Sequence, residues 1–153
     1  MKEIERKFLV KNDGFKTGAK RIHARQGYLL CEEKGNARVR IEDRGAFLTI
    51  KKYISGISRW EFEYSVPVND AEVMLNELCG GRIVVKDRYL VKYGGLLWEV
   101  DVFSGENAGL IIAEVELGSE DQPVEKPPWA GEEVTCDPRY LNVNLAKHPF
   151  SKW

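Results

Sequence analysis

Charge of both signs returns at every second position in one segment after another of this chain, and no other feature limits its fold so strongly. Glu3, Glu5 and Lys7 fall on one face of an extended segment, with Ile4, Phe8 and Val10 on the other, because successive side chains of a strand point to opposite sides. The same period puts Arg38 with Arg40 in Ala37 to Glu42, Thr49 with Lys51 in Ala46 to Lys52, and Arg59 with Glu61 and Glu63 in the run from Ser58 that Pro67 ends. It continues with Lys86 and Arg88 in Ile83 to Lys92, Glu99 and Asp101 in Leu96 to Phe103, and Glu114 and Glu116 in Leu110 to Leu117. Arg21 to Leu30, with Gln26 and Tyr28 on one face, supplies one more segment, and the pattern predicts eight strands.

Turn chemistry separates these segments. Asp43-Arg44-Gly45 and Gly94-Gly95 fit tight hairpins, and Asn12-Asp13-Gly14 and Ser55-Gly56 fit loops. One segment changes period. Asn69 to Leu78 reads as a helix with an apolar stripe of Ala71, Met74, Leu75 and Leu78, a capping box of Asn69 and Glu72, and a stop at Gly80. Ser119 to Gly131 reads as a surface loop, and Asp137-Pro138 as the start of a short C-terminal helix through Tyr140, Leu141 and Leu145.

With 153 residues, 43% of them hydrophobic, the chain suits one domain over 1–153. Strands predominate, so the expected class is α+β, mainly β: an eight-stranded antiparallel β-barrel with a few flanking helices. The charged faces must line either its lumen or its exterior, and spacing alone leaves both orientations open. The opposite faces carry Phe8, Trp60, Phe62, Tyr64, Tyr89 and Trp98, together too bulky for such a lumen. They suit an outer surface covered by the helix and by a second subunit, hence a homodimer. A net charge of −1 and a pI near 6.2 give nucleic acid or an anionic membrane no global attraction. Cys31, Cys79 and Cys136 form no CxxC pair and read as core thiols of a cytoplasmic protein. His23 and His148 read as surface or packing residues. No apolar run approaches the ~18 residues of a membrane span.

A charged lumen has a chemical use. Basic residues from several strands can surround a chain of phosphates, and carboxylate pairs can hold Mg²⁺ or Mn²⁺, hard cations that prefer oxygen. The charged faces carry seven basic and eight acidic residues. Two divalent cations would add about +4 and a triphosphate about −4 to −5, so metal and substrate occupancy should be linked.

The ordered series Glu3-Ile4-Glu5-Arg6-Lys7, Arg38-x-Arg40, Thr49-Ile50-Lys51, Glu61-x-Glu63, Lys86-x-Arg88, Asp101 and Glu114-x-Glu116 resembles the triphosphate tunnel metalloenzymes, the CYTH superfamily. The likeness runs from Met1 to Tyr140 and is greatest to short single-domain bacterial members, many of which act on inorganic tripolyphosphate. It implies an eight-stranded tunnel with a charged lumen and a metal-dependent triphosphatase converting tripolyphosphate to pyrophosphate and phosphate. Thiamine triphosphatase, nucleoside or RNA triphosphatase, adenylate cyclase and a non-catalytic polyphosphate-binding module are the alternatives on the same fold.

Carried over by residue, the resemblance makes Glu3, Glu5, Glu114 and Glu116 ligands of two Mg²⁺ or Mn²⁺ ions, with Glu114 and Glu116 also positioning the attacking water. Glu61 and Glu63 would partly bind metal and partly hold neighbouring cations. Lys7, Arg38, Arg40, Lys51, Arg59, Lys86 and Arg88 would grip the phosphates. Lys7 and Tyr28 would act together, reaching each other from strands expected to be adjacent, and Glu99 and Asp101 would support the lumen. Retention of both carboxylate pairs favours catalysis over phosphate sensing.

Overall fold

The computed structural model describes residues 2–32 and 34–153. Its strands are β1 (Lys2–Val10), β2 (Lys20–Glu32), β3 (Gly35–Glu42), β4 (Gly45–Ser55), β5 (Ser58–Val66), β6 (Ile83–Tyr93), β7 (Leu96–Phe103), β8 (Ile111–Glu116) and β9 (Ala130–Glu133). They pair antiparallel in the order β5-β4-β3-β2-β6-β7-β8-β1-β9, and β5 returns to β1, which closes eight of them into a barrel. That closing seam is short: Lys2 faces Trp60, Glu3 faces Arg59 and Ile4 faces Ser58. Gly94 and Gly95, at φ 57° and 74°, form the two-residue β6–β7 turn, a conformation that a side chain at Cβ would resist.

The alternation resolves with charge inward. Lys7, Gln26, Arg38, Thr49, Lys86, Asp101 and Glu114 are all buried, on the faces that point into the barrel. The outer faces of β1, β7 and β8 carry Ile4, Phe8, Trp98, Val100 and Val115, and Phe15 and Trp129 from flanking segments close over them. Phe8 and Trp98 are therefore core residues, with ring centroids 5.4 Å apart. Only part of the aromatic surface expected from the sequence is open: Trp60, Phe62 and Tyr64 are 47%, 46% and 58% exposed. A third apolar group, Val84, Phe103, Leu110 and Ile112, closes one end of the lumen together with Leu145.

The central helix differs from the sequence reading in two respects. It begins at Val68 as α1 (Val68–Val73) and passes into a π-helical turn over Met74–Leu78. Among the described residues no side chain caps it, so the Asn69–Glu72 box does not form; Glu72 pairs with Arg25 on β2 instead. The wider turn seats Leu75 and Cys79 over Gly27 of β2, where a Cβ would lie 2.9 Å from Leu75 Cδ2 and 2.6 Å from Cys79 Sγ. Glycine there is what allows helix and sheet to approach so closely. Of the three cysteines only Cys79 is a core thiol; Cys31 is half-buried and Cys136 exposed.

The segment read as a loop to Gly131 ends in the ninth strand. Ala-Gly-Glu-Glu has little strand propensity, but β1 supplies a template. Arg6 donates to Glu133 at 2.8 and 2.6 Å, Val134 N donates to the Lys7 carbonyl at 2.9 Å, and Lys7 N donates to Thr135 Oγ1 at 3.0 Å. The C-terminal helix comes in two pieces, a 3₁₀ turn (Pro138–Tyr140) capped by Asp137 and α2 (Asn142–Lys147) after a break at Leu141. No helix among the described residues is long and apolar enough to cross a membrane.

Candidate active site

The inward faces enclose a cavity of about 300 Å³. Register explains how distant residues meet in it. On β1 and β8, Glu5 faces Glu116 and Lys7 faces Glu114, while Glu99 of β7 faces Glu114. These strands make an acidic wall. Across the lumen β3 and β4 bring Arg38, Arg40 and Lys51, and β5 alternates Arg59, Glu61 and Glu63 along the side between them. Every site residue read from the sequence lines this cavity except Lys86.

Lys86 is the first correction. Its side chain is 1% exposed and paired with the fully buried Asp101, and its ammonium lies 5.7 Å from the Phe103 ring centroid. Burial, and then repulsion from Arg88, lower its pKa to about 8. Its charge supports the wall from behind. The second correction concerns Lys7 and Tyr28. On the order above, β6, β7 and β8 lie between β2 and β1, so the two residues come from separated strands. Tyr28 Oη accepts from Gln26 Nε2 at 3.0 Å, and the Lys7 ammonium is held by Glu5 and Glu114. They share the cavity without a hydrogen bond between them among the described residues.

Ion pairs order the rest. Arg88 donates to Glu114 at 2.9 Å and to Asp101 at 2.7 Å, and also pairs with Glu99. Lys51 bridges Glu3 at 2.9 Å and Glu61 at 2.7 Å. Thr49 Oγ1 accepts from Arg38 at 3.0 Å and donates to Glu63 at 2.8 Å, while Arg40 lies 3.2 Å from Glu63. Burial, and then the neighbouring Arg38, push the Arg40 guanidinium down despite Glu42 and Glu63. The arginine cluster is thus short of negative charge, which an entering anion would supply.

The acidic wall has the opposite deficit at one point. Burial and then the carboxylates of Glu3, Glu61, Glu5 and Glu99 push Glu116 up. Among the described residues no three acidic, histidine or cysteine side chains are already gathered as a ligand cage, and Glu3 and Glu5 are occupied by lysines. Even so the donor set suits a hard divalent cation: all its atoms are carboxylate oxygens, and excess negative charge is concentrated around Glu116.

Five further residues line the cavity. Asn36 lies two residues before Arg38 on the same face of β3 and was legible from the alternation. Arg44 reaches in from the β3–β4 turn, and Leu141, Asn142 and Val143 enter from the C-terminal segment; no strand period could announce them.

Residues 1–148 match the CYTH domain family. The chain is 47% identical over 152 residues to an inorganic triphosphatase of Acetivibrio thermocellus, covering 99% of this chain and 97% of that one. It is 44% identical over 153 residues to an inorganic triphosphatase of Nitrosomonas europaea, covering 95% and 97%. The crystal structure of the inorganic triphosphatase NE1496 superposes with a TM-score of 0.68 at 40% identity, covering 94% of this chain and 93% of that one.

Proposed function

This chain belongs to the CYTH domain family, and from that membership we propose that it is a metal-dependent hydrolase of inorganic tripolyphosphate, releasing phosphate and pyrophosphate. The observation that carries the reading is the make-up of the cavity: a cationic wall facing a carboxylate wall, with Tyr28 the one aromatic ring in the lining among the described residues. Such a surface satisfies a substrate made only of phosphate. A nucleobase would find neither a stacking platform nor a set of edge partners among these side chains.

Arg38, Arg40, Lys51, Arg59 and Arg88 hold the phosphate chain through charge-assisted contacts. Substrate neutralises the crowding of Arg38 and Arg40, so binding itself relieves an unfavourable interaction. Glu3, Glu5, Glu61, Glu63, Glu114 and Glu116 are the residues that would hold two Mg²⁺ or Mn²⁺ ions. Bound there, such ions would supply positive charge to the transferring phosphoryl group and activation of water. Glu114 and Glu116 would orient the attacking water. Burial opposes the charge on Lys7, but Glu114 and Glu5 outweigh it and keep the ammonium protonated. Burial keeps the Tyr28 phenol protonated as well. Both therefore serve as donors to phosphate oxygens, and neither removes a proton. The Tyr28 hydroxyl, which accepts from Gln26, has its own proton available for that contact.

Steady-state kinetics on tripolyphosphate and ATP, with each metal, test the substrate. The expected kcat/KM ratio is at least about 100 in favour of tripolyphosphate, equivalent to ~2.7 kcal/mol. Equal activity on ATP, or formation of cyclic AMP, would transfer the reading to a nucleotide enzyme. On the outside of β4 and β5, Ile50 faces Phe62 and Leu48 faces Tyr64 across the register, extending the exposed patch at Trp60. We assign this face to a homodimer contact.

A further inference from the structure

Strand β2 sets two polar side chains on the inward face, and each opposes one of the paired arginines of β3: Tyr28 faces Arg38 and Gln26 faces Arg40. Tyr28 reaches the cavity wall, whereas Gln26 is fully buried and lies outside the lining. Gln26 Nε2 donates to Tyr28 Oη at 3.0 Å, and Gln26 Oε1 is buried with no hydrogen-bond partner among the described residues. Arg40 Nε, on the opposing residue, is buried and unpartnered in the same way. Charge explains the sense of the amide. A carbonyl is favoured on the side of a guanidinium and an N–H is not, so the N–H end turns toward Tyr28. Leaving a buried carbonyl unused costs stability, and an apolar side chain of this length would avoid that cost. The amide is therefore of use for its donor.

We infer that Gln26 is a positioning residue for Tyr28: by donating to the phenol oxygen it holds the hydroxyl proton toward the cavity, where that proton is offered to phosphoryl oxygens of the substrate. This rests on the tripolyphosphate reading above. A hydroxyl carries one proton and two acceptor positions. Gln26 fills one acceptor position, and the phenol itself donates to no acceptor among the described residues. Burial keeps it protonated. With the amide reversed, Oε1 would take the phenol proton and Tyr28 would turn only lone pairs toward an anion. A donor already aimed needs no reorganisation as charge spreads over the transferring group.

A double-variant cycle on tripolyphosphate separates this role from packing. Gln26→Met keeps the length and removes the donor, and Tyr28→Phe removes the proton that it aims. Each should lower kcat by about tenfold with KM within about twofold, since an aimed donor strengthens toward the transition state. The combined variant should stay within about twofold of Tyr28→Phe alone, because Gln26 then has nothing to orient. The Tm of Gln26→Met should hold or rise, as the unused carbonyl leaves with the amide. Gln26→Asn, whose amide is too short to reach the phenol, carries the same cycle if the methionine variant does not fold. A Gln26 variant within about twofold of wild type in kcat, a Tyr28→Phe variant without loss, or losses that multiply in the combined variant overturn the positioning role alone. Wild type inactive on tripolyphosphate overturns the functional reading on which it rests.

Discussion

Glu114 and Glu116 stand two residues apart on the same face of β8, yet their surroundings drive their carboxyl groups in opposite directions. Burial opposes the charge of Glu114, but Lys7, Arg88 and Lys86 overcome it and hold the group well below the usual carboxylate range. Glu116 is pushed up by partial burial and a ring of acids. Loss of either should reduce hydrolysis by at least about 100-fold at saturating metal. Stability separates them. Glu114→Gln leaves Lys7 and Arg88 short of a buried partner and should cost about 3 to 5 kcal/mol, whereas Glu116→Gln should leave unfolding unchanged or slightly improved. Chemical denaturation of the two variants checks the contrast. Equal stability would mean that Glu114 is solvated.

The arginine pair should behave as a binding and transition-state element together. Arg38→Ala and Arg40→Ala are each expected to raise KM and lower kcat, because a contact to the transferring phosphoryl tightens as its charge spreads. Arg38 is the more embedded, through Thr49 and Glu63, so its removal should also lower Tm. Steady-state constants unchanged in both variants would place the substrate elsewhere.

Lys86 gives the stability a defined pH dependence. Its folded pKa, about 8, lies below the ordinary 10.5, so between these values the unfolded chain binds the extra proton and stability rises with pH. The cost of the buried charge is fully present below about pH 8 and is relieved by about pH 10.5. Relative to Lys86→Met, wild type should therefore gain on the order of 3 kcal/mol across that window. Urea titrations of both proteins at pH 7.5 and 10 read this directly. A difference independent of pH would show that Asp101 keeps Lys86 charged throughout.

The exposed face of β4 and β5 predicts association. Light scattering at about 100 μM should give a dimer mass for wild type and a monomer mass for a Trp60→Glu, Phe62→Glu variant with activity per chain retained. A monomeric wild type at that concentration would remove the assignment.

The barrel and most of its lumen were legible because a strand's period of two converts sequence directly into sides, and charge on one side needs only a wet interior to explain it. What escaped came from interactions between segments. Strand order could not be read, so Lys7 and Tyr28 seemed to lie on neighbours. The position of Lys86 on the inward face was evident, but not its depth: Asp101 and Phe103 enclose it at the level where the lumen begins to close. The Asn69–Glu72 box was a fair local signal, and it lost to Arg25, a residue more than forty positions away. Arg44, Leu141 and Val143 entered the cavity from turns and the C-terminal segment, where no periodicity marks them.

The bond between Lys7 and Glu114 spans 107 positions of the chain, and this imposes an order on folding. Strand β1 is synthesised first, yet its longest pairing is with β8, and β9 arrives later still. Until then the nascent chain carries Ile4 and Phe8 on a strand held by three pairs to β5 at most. Such distant pairing is paid for in loop-closure entropy and slows folding. It also means that a chain stopped before Ile111 can carry the cationic side chains together with Glu3, Glu5 and Glu99 but lacks Glu114 and Glu116, which join the lumen only when β8 pairs with β1.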